Sequence, residues 1–348
     1  MRGIPVVITG VGGGGVGEQV MKSLRLYGDR YRIIGTDMTK FSIGLYRADT
    51  MYLLPPAKDE DYIDKLLEIC DKEKAQVLVP GSEPELRAIS KERRRFMRQG
   101  ILLLVNEQKV IDKCMDKWET HLWLKKHGFK SPESYRPDPA DTLGVFGFGA
   151  ELPAVVKPAT GGGGSFNCYM AQDREELAFF INYTLKQGIV PLAQKYMGTP
   201  DSEYTVGVLT DMVNGELIGS IALRREVTSG LSNRMRIPDR KGGATLVVSS
   251  GISQGEFRDY PQIRQECERI ALTLGSCGPL NIQCRAVNGE VYVFEINPRL
   301  SGTTYLRALA GRNEADVLIR RHLRGDITPV AKYTEGMALR GLAEEVVQ

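Results

Sequence analysis

The first 110 residues alternate short apolar runs with stretches of helical spacing, and this alternation restricts the fold more than any other feature. Ile4 to Thr9, Tyr31 to Gly35 and Val77 to Val79 are apolar runs of strand length. Between them Val20, Met21 and Leu24, then Ile63, Leu66, Leu67 and Cys70, recur at helical spacing. Parallel neighbours need a long crossover, and a helix supplies it, so the order predicts a parallel, doubly wound sheet. Leu102 to Val105 reads as its last strand, with a boundary near Ile111. The loop after the first run satisfies G-x-G-x-x-G through Gly10, Gly12 and Gly15, and Asp37 ends the next strand. Alone, this predicts NAD binding and a dehydrogenase. The run of glycines meets the pattern in two registers, which weakens the signal.

Beyond the boundary, Asp116 with Glu119 three residues on reads as the start of a helix that runs to Gly128. A loop rich in Pro and Gly, Ser131 to Gly149, leads to a strand ending at Lys157. A glycine loop, a strand around Phe166 to Met170 and a helix from Asp173 to Lys186 follow. A third unit opens with Val190 to Tyr196. It continues through two antiparallel strands joined at Asn214-Gly215, a helix from Pro261 to Leu274, a hairpin, and a helix after Thr304. Gly336 to Val347 reads as a terminal strand or tail. The units are residues 1–111, 112–193 and 194–348, in an α/β chain.

The hairpin carries the chemistry. Asn281-Ile282-Gln283-Cys284 and Phe294-Glu295-Ile296-Asn297 flank the turn signal Asn288-Gly289, which brings Gln283 roughly opposite Glu295. Alternate side chains of a strand share a face, so Glu295 and Asn297 point one way while Phe294 and Ile296 point into packing. Glu, Asn and Gln offer the hard oxygens that Mg²⁺ prefers, and Arg299, beyond Pro298, places a cation beside them. An edge hairpin with a merely solvated polar face is the alternative. Lys157 precedes Thr160-Gly161-Gly162-Gly163-Gly164-Ser165, a loop whose amides can approach phosphate because no Cβ blocks them. A flexible connection beside a chance lysine is the alternative there.

Lysine, glycine loop and hairpin, in this order, resemble an ATP-grasp enzyme, most closely the single-unit relatives of the carbamoyl phosphate synthetase large chain. The resemblance runs from about Met1 to Gly325. It implies a Rossmann-like first domain followed by a two-subdomain α+β ATP-grasp fold, with ATP between the subdomains and Mg²⁺ as its cofactor. It places Lys117, Lys157 and Gly161 to Gly164 on the phosphates. Gln194, Lys195, Tyr196 and Met197 fall at the adenine hinge, and Glu203 at the ribose. The metal ligands are Gln283, Glu295 and Asn297, where Gln283 departs from the more usual acidic ligand. Arg299 and Lys157 act on the transferring phosphoryl group. Substrate positions are Glu83, Arg225, Arg240, Lys241, Ser301 and Gly302, each of which is also compatible with a solvated loop. The implied reaction joins a small-molecule carboxylate to an amine through an acyl phosphate, on amino acids or peptide-like substrates. A second copy of the hairpin is absent from the sequence, which argues against a complete two-unit synthetase.

Composition agrees. A chain of 348 residues, 42% hydrophobic and 26% charged with formal net charge +3, has ample core and gives no reason to invoke nucleic acid or membrane. The basic run Lys91 to Arg95 reads as one solvated helix face beginning near Pro84. Six cysteines without C-x-x-C spacing suit reduced thiols in a cytoplasm, and no signal peptide is read at the start. Three histidines leave little for a His-based mechanism. Two readings stand beside the ligase: the dehydrogenase, and a nucleotide-binding protein without turnover. Assembly into a homo-oligomer stays open.

Overall fold

The computed structural model describes residues 3–137, 148 and 151–347. The expected loop Ser131 to Gly149 lies partly outside them. The first sheet contains β1 (Ile4–Ile8), β2 (Tyr31–Asp37), β3 (Thr50–Leu53), β4 (Val77–Val79) and β5 (Leu102–Leu103), in spatial order β3-β2-β1-β4-β5. All four pairings are parallel. Val6, Val7, Ile8, Ile33, Ile34, Val77 and Leu78 are fully buried, as a sheet covered on both faces requires. The edge strand β3 has no counterpart in the sequence reading above, although Met51 to Leu54 is an apolar run; it is a sheet edge whose Met51 and Leu53 face outward.

The second sheet contains β6 (Ser134–Tyr135), β7 (Ala154–Pro158), β8 (Tyr169–Ala171) and β9 (Pro191–Lys195), in the order β6-β9-β7-β8. The helix Arg174–Lys186 covers one face through Leu177 and Ile181. This corrects the reading of Val190 to Tyr196 as the opening of the third unit. That run is β9, hydrogen-bonded to β7, and a boundary at 193/194 falls inside it. Apolar periodicity marks a strand but says nothing about which sheet it joins.

The third sheet is antiparallel. It contains β10 (Glu203–Thr210) and β11 (Leu217–Arg225), while β12 (Asn233–Pro238) and β13 (Thr245–Ser249) form a separate ribbon. With β14 (Gly255–Phe257), β15 (Pro279–Val287), β16 (Glu290–Asn297) and β17 (Gly336–Ala338) the order is β16-β15-β10-β11-β14-β17. The helix Pro261–Leu274 covers one face, packing Ile263, Cys267, Ile270 and Ala271 on Val206, Ile282, Val293 and Ile296. The opposite face carries Ile221 and Leu223 beneath the helix Thr304–Leu309, and beside them the polar residues described below.

The first domain is docked on this core. Its helix Val16–Arg25 packs against Thr304–Leu309 and Glu314–Arg324, joining Val20, Met21 and Leu24 to Leu318 and Ile319. Tyr31 donates to the buried Asp316 at 2.6 Å. The basic run is divided between two helices, Glu83–Lys91 and Arg93–Arg98, and Arg95 pairs with Asp64. Among the described residues no helix is long and apolar enough to cross a membrane, and all six cysteines are free.

Candidate active site

The hairpin folds in the expected register. Asn288 and Gly289 take φ of 52° and 77°, the two positive values a tight two-residue turn demands. Gln283 lies opposite Glu295, and Asn281 opposite Asn297. A bulge corrects one detail. After Gln283↔Glu295 the next pair is Cys284↔Val293, so Phe294 is an unpaired extra residue. Val291, Val293 and Ile296 face the core, while Phe294 joins Glu295 on the polar side instead of packing inward. The sequence signal was the three-residue step from Val293 to Ile296, which breaks strict alternation.

A cleft of about 830 Å³ runs between the second and third sheets, lined by Lys117, Lys157, Gly162, Gly164, Gln194 to Met197, Glu203, Gln283 and Glu295. Lys157 Nζ is buried, donating to Gln194 Oε1 at 2.7 Å and to the Phe294 carbonyl at 3.5 Å. Burial pushes its pKa down to about 8, with Glu295 pulling the other way. Lys117 follows the cap Asp116, which accepts from the amides of Trp118 and Glu119, and its Nζ donates to the Gly161 carbonyl at 2.8 Å. Lys117 also stands 3.9 Å from Glu295.

The glycine loop is folded over the cleft. Gly161, Gly162 and Gly164 have φ of 72°, 79° and 69°, a left-handed run that residues with a Cβ rarely adopt. Ser165 Oγ donates to the Ser249 carbonyl at 2.5 Å, which ties the loop to the third unit. At the far end the amides of Lys195 and Tyr196 donate to the carbonyls of Glu133 and Pro153. Val155, Val248, Met197 and Phe294 supply apolar walls.

Glu203 is buried rather than an exposed glutamate. It sits between Arg225 at 2.7 Å and Arg285 at 2.9 Å. Burial raises a carboxyl, but the two guanidinium groups outweigh it and hold Glu203 below its usual range. Arg285, which no motif singles out, also donates to the Met197 carbonyl at 2.8 Å and lies over the Tyr196 ring. It thus braces both the expected ribose position and the hinge. Its spacing of two from Gln283 on one strand was the available signal.

A second cavity of about 440 Å³ adjoins the first and shares Gly164, Ser250, Gly251, Gln283 and Glu295 with it. Glu83, Arg225, Asn297, Arg299, Ser301 and Gly302 line it, so four of the six expected substrate residues come together. Arg225 is turned away by its own partners, Glu203, Ser249 and the carbonyls of Ser250 and Ile252. Arg240 and Lys241 are corrections. They lie at the exposed tip of the β12–β13 ribbon, and Arg240 pairs with Asp173 and Glu176, outside both cavities. Asp173 caps the helix Arg174–Lys186, so this pairing fastens the ribbon to the second unit.

The donor set fits a phosphate-bound magnesium ion. Glu295 contributes a carboxylate. Asn297 Oδ1 accepts from Arg299 Nη2 at 3.1 Å, and Gln283 Nε2 donates to Glu295 Oε2 at 2.9 Å. Among the described residues no three His, Cys, Asp or Glu side chains cluster as metal ligands. A cation held by one carboxylate and two amide oxygens takes its remaining ligands from phosphate and water, as Mg²⁺ commonly does.

The first-domain glycine loop is built differently. The Gly12 amide donates to Asp37 Oδ2 at 3.0 Å and the Gly14 amide to Glu18 Oε2 at 2.7 Å. Carboxylates of the chain itself occupy the donors that a dinucleotide's pyrophosphate would use.

The family description "ATP-grasp domain" matches residues 114–303, and "PylC-like, N-terminal domain" matches 6–104. The chain belongs to the ATP-grasp family. It is 24% identical over 277 residues to the carbamoyl phosphate synthase large chain of Halomonas eurihalina, covering 78% of this chain and 24% of that one. It is 27% identical over 202 residues to the D-alanine–D-alanine ligase of Fusobacterium nucleatum, covering 56% and 61%. The chain thus spans only 24% of the length of the synthase it matches. The L-amino acid ligase from Bacillus licheniformis superposes with a TM-score of 0.64 at 17% identity, covering 95% of this chain and 78% of that one. The biotin carboxylase domain of 2-oxoglutarate carboxylase from Hydrogenobacter thermophilus, a complex containing MgADP, superposes with a TM-score of 0.64 at 16% identity, covering 96% and 72%. These two structures share the fold.

Proposed function

We propose that the protein is an ADP-forming carboxylate–amine ligase using ATP and Mg²⁺, acting in the cytoplasm on a small-molecule acid, an amino acid or a peptide-like one. One observation carries this reading: the two cavities meet at Gln283 and Glu295, so a nucleotide in the first points its γ-phosphate at whatever fills the second. Lys157, Lys117 and the glycine amides hold the phosphates, Gln194 to Met197 receive adenine, and Glu203 lies beside the ribose. Glu295, Asn297 and Gln283 hold Mg²⁺, which neutralises charge on the phosphates when bound. A carboxylate oxygen of the acid attacks the γ-phosphorus, the bond to the β-phosphate oxygen breaks, and ADP leaves. The amine then attacks the acyl carbon, inorganic phosphate departs, and the nitrogen loses a proton. Arg299, at the junction with Glu83 and Ser301, stabilises the transferring phosphoryl group. No protein nucleophile is needed, which suits a site without His or a reactive Cys.

The test is ADP release with Mg-ATP and pooled amino acids and small carboxylic acids, beside Glu295→Ala. Acid-dependent release that disappears in the variant supports the ligase. Turnover at full rate without Glu295 would overturn it. MgADP binding with no release in any pool would favour a protein that binds nucleotide without turnover.

A further inference from the structure

One polar group in the second cavity has no part in the chemistry above. Asn281 lies on β15 between Gly207 of β10 and Asn297 of β16, and only 3% of it is exposed. Its Oδ1 accepts from Thr205 Oγ1 at 2.8 Å and from Arg307 Nη2 at 2.6 Å. A guanidinium has no acceptor, so an inverted amide would set N–H₂ against it, and the side chain is locked in one orientation. Arg307 is fully buried and is held in turn by Glu314, whose carboxylate oxygens lie 3.2 and 3.1 Å from Nη1. The pair rests directly on the sheet where Gly207 leaves room. A Cβ there would stand 2.0 Å from Glu314 Oε1 and 2.4 Å from Arg307 Nη1. Buried ion pairs are poor stabilisers, because desolvation offsets most of their attraction. What this pair achieves is a fixed amide.

Nδ2 of that amide is the end left over. It has no hydrogen-bond partner among the described residues, and Asn281 lines the cavity beside Asn297, Arg299 and Ser301. The lining contains Glu, Asn, Gln, Arg, Ser, Thr and Gly and no aliphatic or aromatic side chain. Resting on the ligase reading, we propose that Asn281 Nδ2 donates to the carboxylate of the acid substrate, and that Arg307 and Thr205 are positioning residues that aim it. The acid is compact and hydrophilic, since an apolar side chain would find no surface there to leave water for.

The experiment measures steady-state ADP release with Mg-ATP and an amine pool. The acids are bicarbonate, glycine, L-serine, L-aspartate, L-glutamate and L-lysine, with octanoate and benzoate as apolar counterparts. Asn281→Asp keeps the shape and both donors to Oδ1 but turns an acceptor toward the anion. The KM for the acid should rise tenfold to a few hundredfold, roughly the range for losing a hydrogen bond to a charged group. The KM for ATP should stay within about twofold. Thr205→Val should raise the acid KM by a smaller factor, and Thr205→Ser should restore it, which a merely structural role would not do. This pair also decides the matter if Asn281→Asp fails to fold. An unchanged acid KM in Asn281→Asp with active wild type overturns the inference alone, as does equal use of octanoate. A wild type silent with every acid overturns the ligase reading and this inference together.

Discussion

Two glycine-rich loops sit in this molecule, each between a buried strand and a helical turn, and they are built for opposite purposes. In the first domain, Gly10 to Gly17 folds back on its own acids, with Asp37 on the Gly12 amide and Glu18 on the Gly14 amide. Across the molecule, Gly161 to Gly164 is flanked by Lys117 and Lys157 and closes over an open cleft. A glycine run states only that the backbone can come close to something. The charge of the surrounding side chains decides whether that something is an anion, because the amides of both loops are donors and only one loop leaves them a positive field. This contrast disfavours the dinucleotide reading, whose pattern the first loop satisfies to the letter.

The contrast can be broken by experiment. The largest expected effect is at the hairpin, where Glu295→Ala should lower ADP release by about a thousandfold or more through loss of the only carboxylate among the proposed metal ligands. Next, Lys157→Met should weaken MgADP binding by about tenfold to a few hundredfold in calorimetry, the loss of a charge-assisted contact to phosphate. Its counterpart in the other loop, Asp37→Asn, should leave MgADP affinity unchanged and lower stability by about 1–2 kcal/mol in a denaturant titration. If NAD(H) raised the melting temperature and MgADP did not, the assignment of the two loops would be reversed.

A smaller effect lies in pH. Burial lowers the Lys157 pKa to about 8 from 10.5. Between those values the unfolded chain holds a proton that the folded one has released, so this group's contribution to stability rises with pH across that window. Below pH 8 the folded protein carries a buried charge, and its cost is present in full. Phosphate favours the charged ammonium, so MgADP binding near pH 8 should take up protons and weaken as pH rises further. Calorimetry in buffers of different ionisation enthalpy reads that uptake directly. Zero uptake from pH 7 to 9 would remove Lys157 from the phosphates.

Much of this site was legible before any coordinates. Gln283 within one position of Glu295 followed from the Asn288-Gly289 turn, because a two-residue turn sets register. An unbroken ladder would pair Gln283 with Phe294, and the bulge moved the pairing to Glu295. Glu83, Ser301 and Gly302 were named and do line one cavity. Arg240 and Lys241 were named because the resemblance places them between strands where relatives hold a carboxylate. They fall outside it, since a loop's position in the chain does not fix where its side chains point. Phe294 was misplaced because alternation assumes an unbroken ladder, and a bulge moved one residue to the other face.

What the sequence determined by itself is local: strands, helices, caps, the turn, and the residue types a magnesium–nucleotide site requires. These rest on backbone preferences and periodicities within a dozen residues. What only the tertiary structure decided is long-range. It drew β9 into the second sheet, set Arg285 against Glu203, and turned an arginine on one helix, a glutamate on the next and a glycine on a distant strand into the lock on Asn281. Most such contacts join positions well beyond a dozen residues apart, 26 for Asn281 with Arg307 and 82 for Arg285 with Glu203. They depend on which surfaces pack together, a property of the whole chain that no short window of sequence contains.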